Sequence, residues 1–296
     1  MKSYLDILKS VKEVGQDRDT RSGMCRSVFD WNGSIDLGNQ ILPLLTVKKM
    51  ALRQVVGELL WFLSGKSTIS SLKHYTFCDA NSDKWTIWTD DQARWRDTLA
   101  YDYMVKHTLM DEDSCGMNYG VQWRGTDGGV DQIQNLIDNL KDDPYSRRLL
   151  VQAYNPNEVD LTCLPPCHTG FQCYVRDGAD GDKILDLKWT QRSCDLFLGF
   201  PFNLASYGLL LHILAKLTGM KAGRLSWTVG DAHIYHQHFE AVDTVLLRSP
   251  RLMPSVSLPQ FESLDELVEK LTADDFMNCV VGYNPHDAVK APLQVG

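Results

Sequence analysis

Apolar residues near the start fall at Tyr4, Ile7, Leu8, Val11 and Val14, the spacing of one helix face, and Gly15 follows as a stop. RDTRSGM, which holds Arg21, then reads as a polar loop. Residues 50–63 read as a long helix in which Glu58 sits beside the run LLWFL. Ile133, Leu136, Ile137 and Leu140 share the face of another helix, with Pro144 beyond its end. The run LASYGLLLHILAKLTG after Asn203 is apolar nearly all round, which predicts a buried helix closed by Gly219. Strand patterns lie between these. Leu187, Trp189 and Gln191 alternate with Lys188, Thr190 and Arg192, and RRLLVQAY, FQCYV and RLSWTVGD read as strands. DGADGD at Asp177–Asp182 predicts a hairpin turn between FQCYV and the central strand. Gly199–Pro201 reads as a turn, HIYHQHFEAVDTVLL as the opening of a helix, and Ser263–Glu266 as a capping box. Residues 66–115 are the least legible, with Trp85, Trp88 and Trp95 recurring among charges. The expectation is one α+β domain over residues 1–296, a mixed sheet flanked by helices.

Composition changes this picture little. The chain has 296 residues and a net charge of −8, with 30 basic against 38 acidic side chains. That balance argues against a general nucleic-acid binder, but a basic site inside an acidic protein still suits a small anion. The eight cysteines include no CxxC pair, so neither a zinc ribbon nor a thioredoxin motif is present. With no signal-peptide pattern and no unbroken apolar run near 18 residues, the expectation is a reduced, soluble, cytoplasmic protein, in the host cytoplasm if viral.

The candidate chemistry gathers in two stretches. In LKWTQRSCDLFLGFPFN, Arg192, Ser193, Asp195 and Asn203 bring a cation, a hydroxyl, an acid and an amide to the end of a strand. Such a group suits an anionic ligand with a hydrogen-bonding ring, although a solvated loop has the same composition. Upstream, LPPCH sets Cys167 after two prolines that stiffen its approach. Arg192 and the SRR at Ser146–Arg148 offer cations that would favour a thiolate; an inert buried cysteine is the bland alternative. Glu58 beside apolar neighbours needs a task or a partner. His233, His236 and His238 invite a metal reading, but their i, i+3, i+5 spacing does not put all three on one helix face, and no metal is expected.

These segments resemble the thymidylate synthase family closely. LPPCH matches its nucleophile motif, QRSCDLFLGFPFN its nucleotide and folate stretch, and DPYSRR its arginine pair. GELLWFLSG, NYGVQWR and GDAHIYHQHF follow in family order, so the resemblance runs from about Tyr4 to Lys290. It implies one-carbon transfer from 5,10-methylene-tetrahydrofolate to C5 of dUMP. Cys167 would be the nucleophile, and Glu58, Tyr119, His168 and Asn203 would complete the catalytic set. Arg21, Arg192 and Ser193 would hold the phosphate, joined by Arg147 and Arg148 from the other subunit of a sheet-to-sheet homodimer. Gln191, Asp195 and Asn203 would face the base, and His233 and Tyr235 the sugar. Ile87, Trp88, Asp195, Leu198, Gly199 and Phe202 would line the folate side, with Lys48 near its glutamate tail. No membrane and no stable nucleic-acid partner are implied.

Base choice follows from Asn203. An amide accepts from N3–H and donates to O4 of uracil, whereas the dCMP hydroxymethylases carry Asp there. The product is set by departures from the family pattern. Thymidylate synthases read PVYG where this chain has MNYG at Met117–Gly120, IWD where it has IWT at Ile87–Thr89, and HP at His286–Asp287, and the tail ends one residue later, at Gly296. The asparagine before the tyrosine also occurs in dCMP hydroxymethylases. If the exocyclic methylene takes water rather than hydride, 5-hydroxymethyl-dUMP replaces dTMP, and a less shielded site favours water. The expectation is therefore a deoxyuridylate hydroxymethylase of the phage type, with a divergent thymidylate synthase as the alternative. Two other readings stay open: an inactive homologue that binds nucleotide or RNA, and a thiol hydrolase built on Cys167 and His168. Adjacent residues in an extended segment point opposite ways, which disfavours the latter.

Overall fold

The computed structural model describes residues 2–108, 110–125 and 129–293. The amphipathic helix α1 (Lys2–Val14) buries Tyr4, Ile7, Leu8 and Val11, as its spacing requires. Two strands follow, β1 (Gln16–Thr20) and β2 (Gly23–Asp36). They form a hairpin in register Thr20↔Gly23, so the expected polar loop is two strands, with Arg21 exposed at the tip. Gly23 has φ of 108°, which an L side chain avoids, and this lets the turn close in two residues.

Helices α2 (Leu52–Leu63), α3 (Ile69–Phe77), α4 (Ile87–Trp95), α5 (Leu99–Thr108), α6 (Tyr119–Arg124) and α7 (Gln132–Asp142) come next. The illegible region 66–115 thus holds three helices, anchored by Trp88 and Trp95, while Trp85 stays exposed. Strands β3 (Leu150–Gln152), β4 (His168–Asp177) and β5 (Lys183–Asp195), helix α8 (Gly199–Thr218) and strand β6 (Lys221–Tyr235) complete the centre. After them lie α9 (Phe239–Leu246), β7 (Ser255–Val256), α10 (Leu264–Lys270), α11 (Ala273–Met277) and β8 (Val280–Val281), the two short strands pairing with each other.

The main sheet has six strands in the order β1-β2-β6-β5-β4-β3. Its neighbours are antiparallel except β5 and β6, which run parallel and are linked through α8. A parallel pair needs such a crossover, and α8 fits it because it is apolar all round. One face of the sheet packs against the helices: Trp189 stacks on Tyr207 of α8 at 5.0 Å, and Trp227 lies 5.3 Å from Phe200. The other face leaves Phe29, Tyr174 and Leu150 exposed. This is the α+β architecture expected, a mixed sheet flanked by helices. α8 is long and apolar enough to cross a membrane, but most of it is buried in the core, the pattern of a core helix.

Two boundaries differ from expectation. Gly199–Pro201 is the first turn of α8 rather than a loop, because Pro at the start of a helix has no intrahelical N–H to lose. HIY continues β6 instead of opening a helix, since Tyr235 pairs with Cys25 and His233 with both Ser27 and Asp195. Tertiary pairing overrides the local pattern there. Ser263 does cap α10, accepting from the Glu266 N–H at 3.1 Å.

Candidate active site

Strand direction builds the site. Because β5 and β6 are parallel, Asp195 and His233 end up as neighbours at one rim of the sheet, and antiparallel β4 begins at that rim with His168 opposite Gln191. The loop carrying Cys167 enters there, and α8 leaves from it. α2, α4 and α6 close the cleft with Glu58, Trp88 and Tyr119.

Cys167 is held by its backbone. Its N–H donates to the Tyr119 hydroxyl at 2.7 Å, and the His168 N–H reaches the same oxygen at 3.3 Å. Arg192 fixes the other side. Its backbone N–H donates to the Cys167 carbonyl at 2.9 Å, Nε to the Pro166 carbonyl at 2.8 Å and Nη2 to the Pro165 carbonyl at 3.0 Å. Nη2 also lies 3.9 Å from the Cys167 Sγ. Burial pushes the thiol's pKa up, the Arg192 guanidinium pulls it down, and Asp91 adds to the rise. The cation expected from sequence is thus in place, and Arg147 and Arg148, expected to reach the other subunit's site, lie exposed in the turn before β3.

Glu58 lines the cleft and accepts from the Trp88 indole N–H at 2.6 Å. Burial raises its pKa, partly offset by that hydrogen bond, so the carboxyl is poised to carry a proton. Trp88 is buried edge-on to Phe62 and Tyr119. Tyr119 is itself buried, with its phenol pushed well above its ordinary value by burial. His168 is held neutral, lowered to about 4 by burial against a smaller opposing hydrogen bond to Asn203. Asn203 lies inside the first turns of α8 rather than at the N-cap, and its Oδ1 accepts from Gln191 Nε2 at 3.1 Å. Gln191 Nε2 also donates to the Ser193 carbonyl at 3.0 Å.

On the other wall, Asp195 Oδ1 accepts from the N–H groups of Phe197 at 2.8 Å and Leu198 at 3.2 Å, turning the chain into α8. Burial acts to raise this carboxyl, but His238, His233 and the Leu198 N–H together hold it below its ordinary range. His233 Nδ1 lies 3.1 Å from Asp231 Oδ1, and Tyr235 is half-buried beside it. Leu198 and Phe202 are partly buried. At Gly199 an added Cβ would make ordinary contact with Asp195 Cβ at 3.7 Å and Asn203 Oδ1 at 3.9 Å. Ile87 is exposed at the start of α4. Lys48 differs from expectation: it is buried with Nζ on the Phe197 carbonyl and 3.9 Å over the Phe197 ring, and burial lowers its pKa to about 8. It lies behind the wall, not at an open tail site.

The three histidines diverge. His236 pairs with Asp17 at 2.9 Å on the surface, and the fully buried His238 donates through its Nε2–H to the Pro292 carbonyl at 2.8 Å. Among the described residues no group of three or more metal-ligating side chains converges. Two contributors escaped the sequence reading. Asp231 orients His233 from two residues upstream, a same-face strand spacing that was legible. Asp91 lies one helical turn after Trp88 and acts electrostatically on both Cys167 and Arg21.

Two of the departures from the family pattern have local roles. Asn118 is fully buried and caps α6, its Oδ1 accepting from the Val121 N–H at 3.1 Å. Thr89 completes a capping box with Thr86, accepting from the Thr86 N–H at 3.2 Å. His286 donates its backbone N–H to the Thr46 carbonyl at 2.8 Å, and the Asp287 carbonyl accepts from Arg248 at 2.7 Å. Gly296 lies outside the described residues.

Two comparisons accord with this geometry. The family model for thymidylate synthase matches residues 2–295. A protein of Escherichia phage T5 named "Probable thymidylate synthase" is 45% identical over 294 residues, 99% of each chain.

Proposed function

This chain belongs to the thymidylate synthase family, and on that premise we propose that it converts dUMP to dTMP with 5,10-methylene-tetrahydrofolate as one-carbon and hydride donor. The observation that carries the proposal is the clamp on Cys167: Tyr119 on one side, Arg192 on the other, with the guanidinium 3.9 Å from the sulfur. A fixed thiol beside a cation suits addition to C6 of a uracil ring, which makes C5 nucleophilic. Glu58, with its raised pKa, serves proton transfer at O4. Asn203, oriented through Gln191, reads the base beside the neutral His168. Arg192, Ser193 and Arg21 take the phosphate. His233, fixed by Asp231, and Tyr235 take the sugar. Trp88, Ile87, Leu198, Gly199, Phe202 and Asp195 form the folate wall.

The chain acts as a single catalytic domain and as a homodimer. The exposed sheet face bearing Phe29, Tyr174 and Leu150, with Arg147 and Arg148 beside Leu150, supports pairing through that face. Cytoplasmic location accords with the phage relative.

Hydride rather than water is taken as the methylene's acceptor because two of the departures that argued for water, Asn118 and Thr89, have helix-capping roles that account for them. The relative's name agrees with that choice. Incubation with dUMP and methylene-tetrahydrofolate tests it. Stoichiometric dTMP and dihydrofolate are expected; 5-hydroxymethyl-dUMP with tetrahydrofolate would overturn the assignment and restore the hydroxymethylase reading.

A further inference from the structure

Two thiols outside the chemistry face each other just behind the nucleophile. Residues 115–117 and 161–163 form a short antiparallel strap. Gly116 bridges Thr162, the Met117 N–H donates to the Leu161 carbonyl at 2.9 Å, and the Cys163 N–H donates to the Cys115 carbonyl at 3.0 Å. In that register Cys115 and Cys163 are directly opposed, with side chains on the same face of the strap. The Cys163 thiol is close enough to act on the Cys115 thiol electrostatically. The Cys115 N–H donates to the Ser67 carbonyl at 2.7 Å, so a single backbone bond joins the two residues; opposed residues of antiparallel strands have Cα atoms ~4.5–5.5 Å apart, inside the ~4.4–6.8 Å range that a disulfide spans. The Thr162 hydroxyl adds a further bond to the Cys115 carbonyl at 2.9 Å. Gly116 fixes the close approach, because an added Cβ would lie 2.2 Å from the Leu161 carbonyl oxygen. The strap leads directly into both halves of the clamp: Tyr119 follows Cys115 by four residues, and Cys167 follows Cys163 by four.

We propose that Cys115 and Cys163 form a dithiol modification site that takes small-molecule disulfides and closes to an intramolecular disulfide, leaving the nucleophile Cys167 free. Cys163 is partly exposed and Cys115 fully buried, which sets the order of events. The Cys163 thiolate attacks one sulfur of the small disulfide, forming a mixed disulfide and releasing one thiolate. Cys115 then gives its proton to solvent, attacks the Cys163 sulfur and expels the second thiolate. The two protein thiols lose two electrons, and the small disulfide is reduced to two thiols. Burial, with Cys163 adding to it, raises the Cys115 thiol well above its ordinary value, so closure is the slow step. The strap is already paired, so the new bond needs little movement at the site. It links residues 48 apart in sequence and stabilises the fold by restricting the unfolded chain.

The test uses the full-length protein treated with oxidised glutathione, then alkylated under denaturing conditions and mapped by mass spectrometry. The expected result is a cross-linked peptide pair containing Cys115 and Cys163, with Cys167 still alkylated in the majority of molecules. Thermal midpoint should rise, and dithiothreitol should reverse both changes. Cys115→Ala should trap the mixed disulfide on Cys163, and Cys163→Ala should slow uptake of glutathione at Cys115 at least tenfold. Cys163 pairing with Cys167 would overturn the proposal, as would both strap thiols remaining alkylatable after prolonged oxidation.

Discussion

Asn118→Val separates a structural role from a catalytic one. The family carries valine here, and Asn118 differs from it at a fully buried position next to Tyr119. Its Oδ1 accepts from the Val121 N–H at 3.1 Å, a normal bond, whereas its Nδ2 lies 3.4 Å from the Lys66 carbonyl and contributes little. Valine has nearly the same volume, so the loss is the cap itself. Removing an N-cap acceptor costs about 1 kcal/mol, and the stranded buried N–H brings the sum to roughly 1–2 kcal/mol. For a chain of this size that is a fall in Tm of about 2–4 °C. Asn118→Ser, which restores an acceptor, should recover most of it. Differential scanning calorimetry gives the Tm, and a parallel assay compares dihydrofolate formed with methylene-tetrahydrofolate consumed. The expected outcome is a lower Tm with that ratio unchanged. A changed ratio at unchanged Tm would refute the capping argument and make Asn118 a determinant of how the methylene is resolved.

Three further outcomes follow from the site. The pH profile of Cys167 alkylation by iodoacetamide in the free protein should centre above the ordinary thiol value of about 8.5, since burial outweighs Arg192. Arg192→Gln removes the one lowering influence and should move the midpoint higher, slowing alkylation at pH 7.5 severalfold, while Asp91→Asn should move it lower; a wild-type midpoint below 8 would contradict this account. Mixing inactive Cys167→Ala chains with inactive Arg147→Ala chains should restore activity in hybrid dimers, and verified heterodimers without activity would exclude a shared site. Asn203→Asp should move preference from dUMP toward dCMP by roughly ten- to a hundredfold in the ratio of kcat/KM values, the ~1–3 kcal/mol of a hydrogen-bond mismatch; an unchanged ratio would show that Asn203 does not read the base.

The sequence made the helices and strands legible where one face is buried. Ile133, Leu136, Ile137 and Leu140 line α7, and Leu187, Trp189 and Gln191 line one face of β5, as their periods require. It was less legible where contacts distant in sequence decide. The extension of β6 through His233 and Tyr235 depends on partners near residue 25 and at residue 195. The helices of 66–115 rest on isolated tryptophans rather than on a clean stripe. Within the site, Cys167, Arg192, Glu58, Trp88 and Tyr119 converge, since long motifs marked them. Lys48 shows the opposite case: the resemblance puts it at the folate tail, and only its packing over Phe197 reveals its burial. Asp91 acts through the charge field and carries no local motif at all.

The sheet order also governs how the chain can be made. The β1–β2 hairpin emerges early, yet its neighbour in the sheet is β6. About 200 residues separate the end of β2 at Asp36 from the end of β6 at Tyr235. At ~5–20 residues per second, a ribosome needs roughly 10–40 s to cover that span. Throughout that interval the long β2 edge, from Cys25 to Asp36, has no strand to join. An open edge of this kind invites pairing with other nascent chains. Slower initiation or lower temperature should therefore raise the soluble yield, and a chain cut before Lys221 should aggregate although it retains the intact hairpin, α2 and the Cys167 loop.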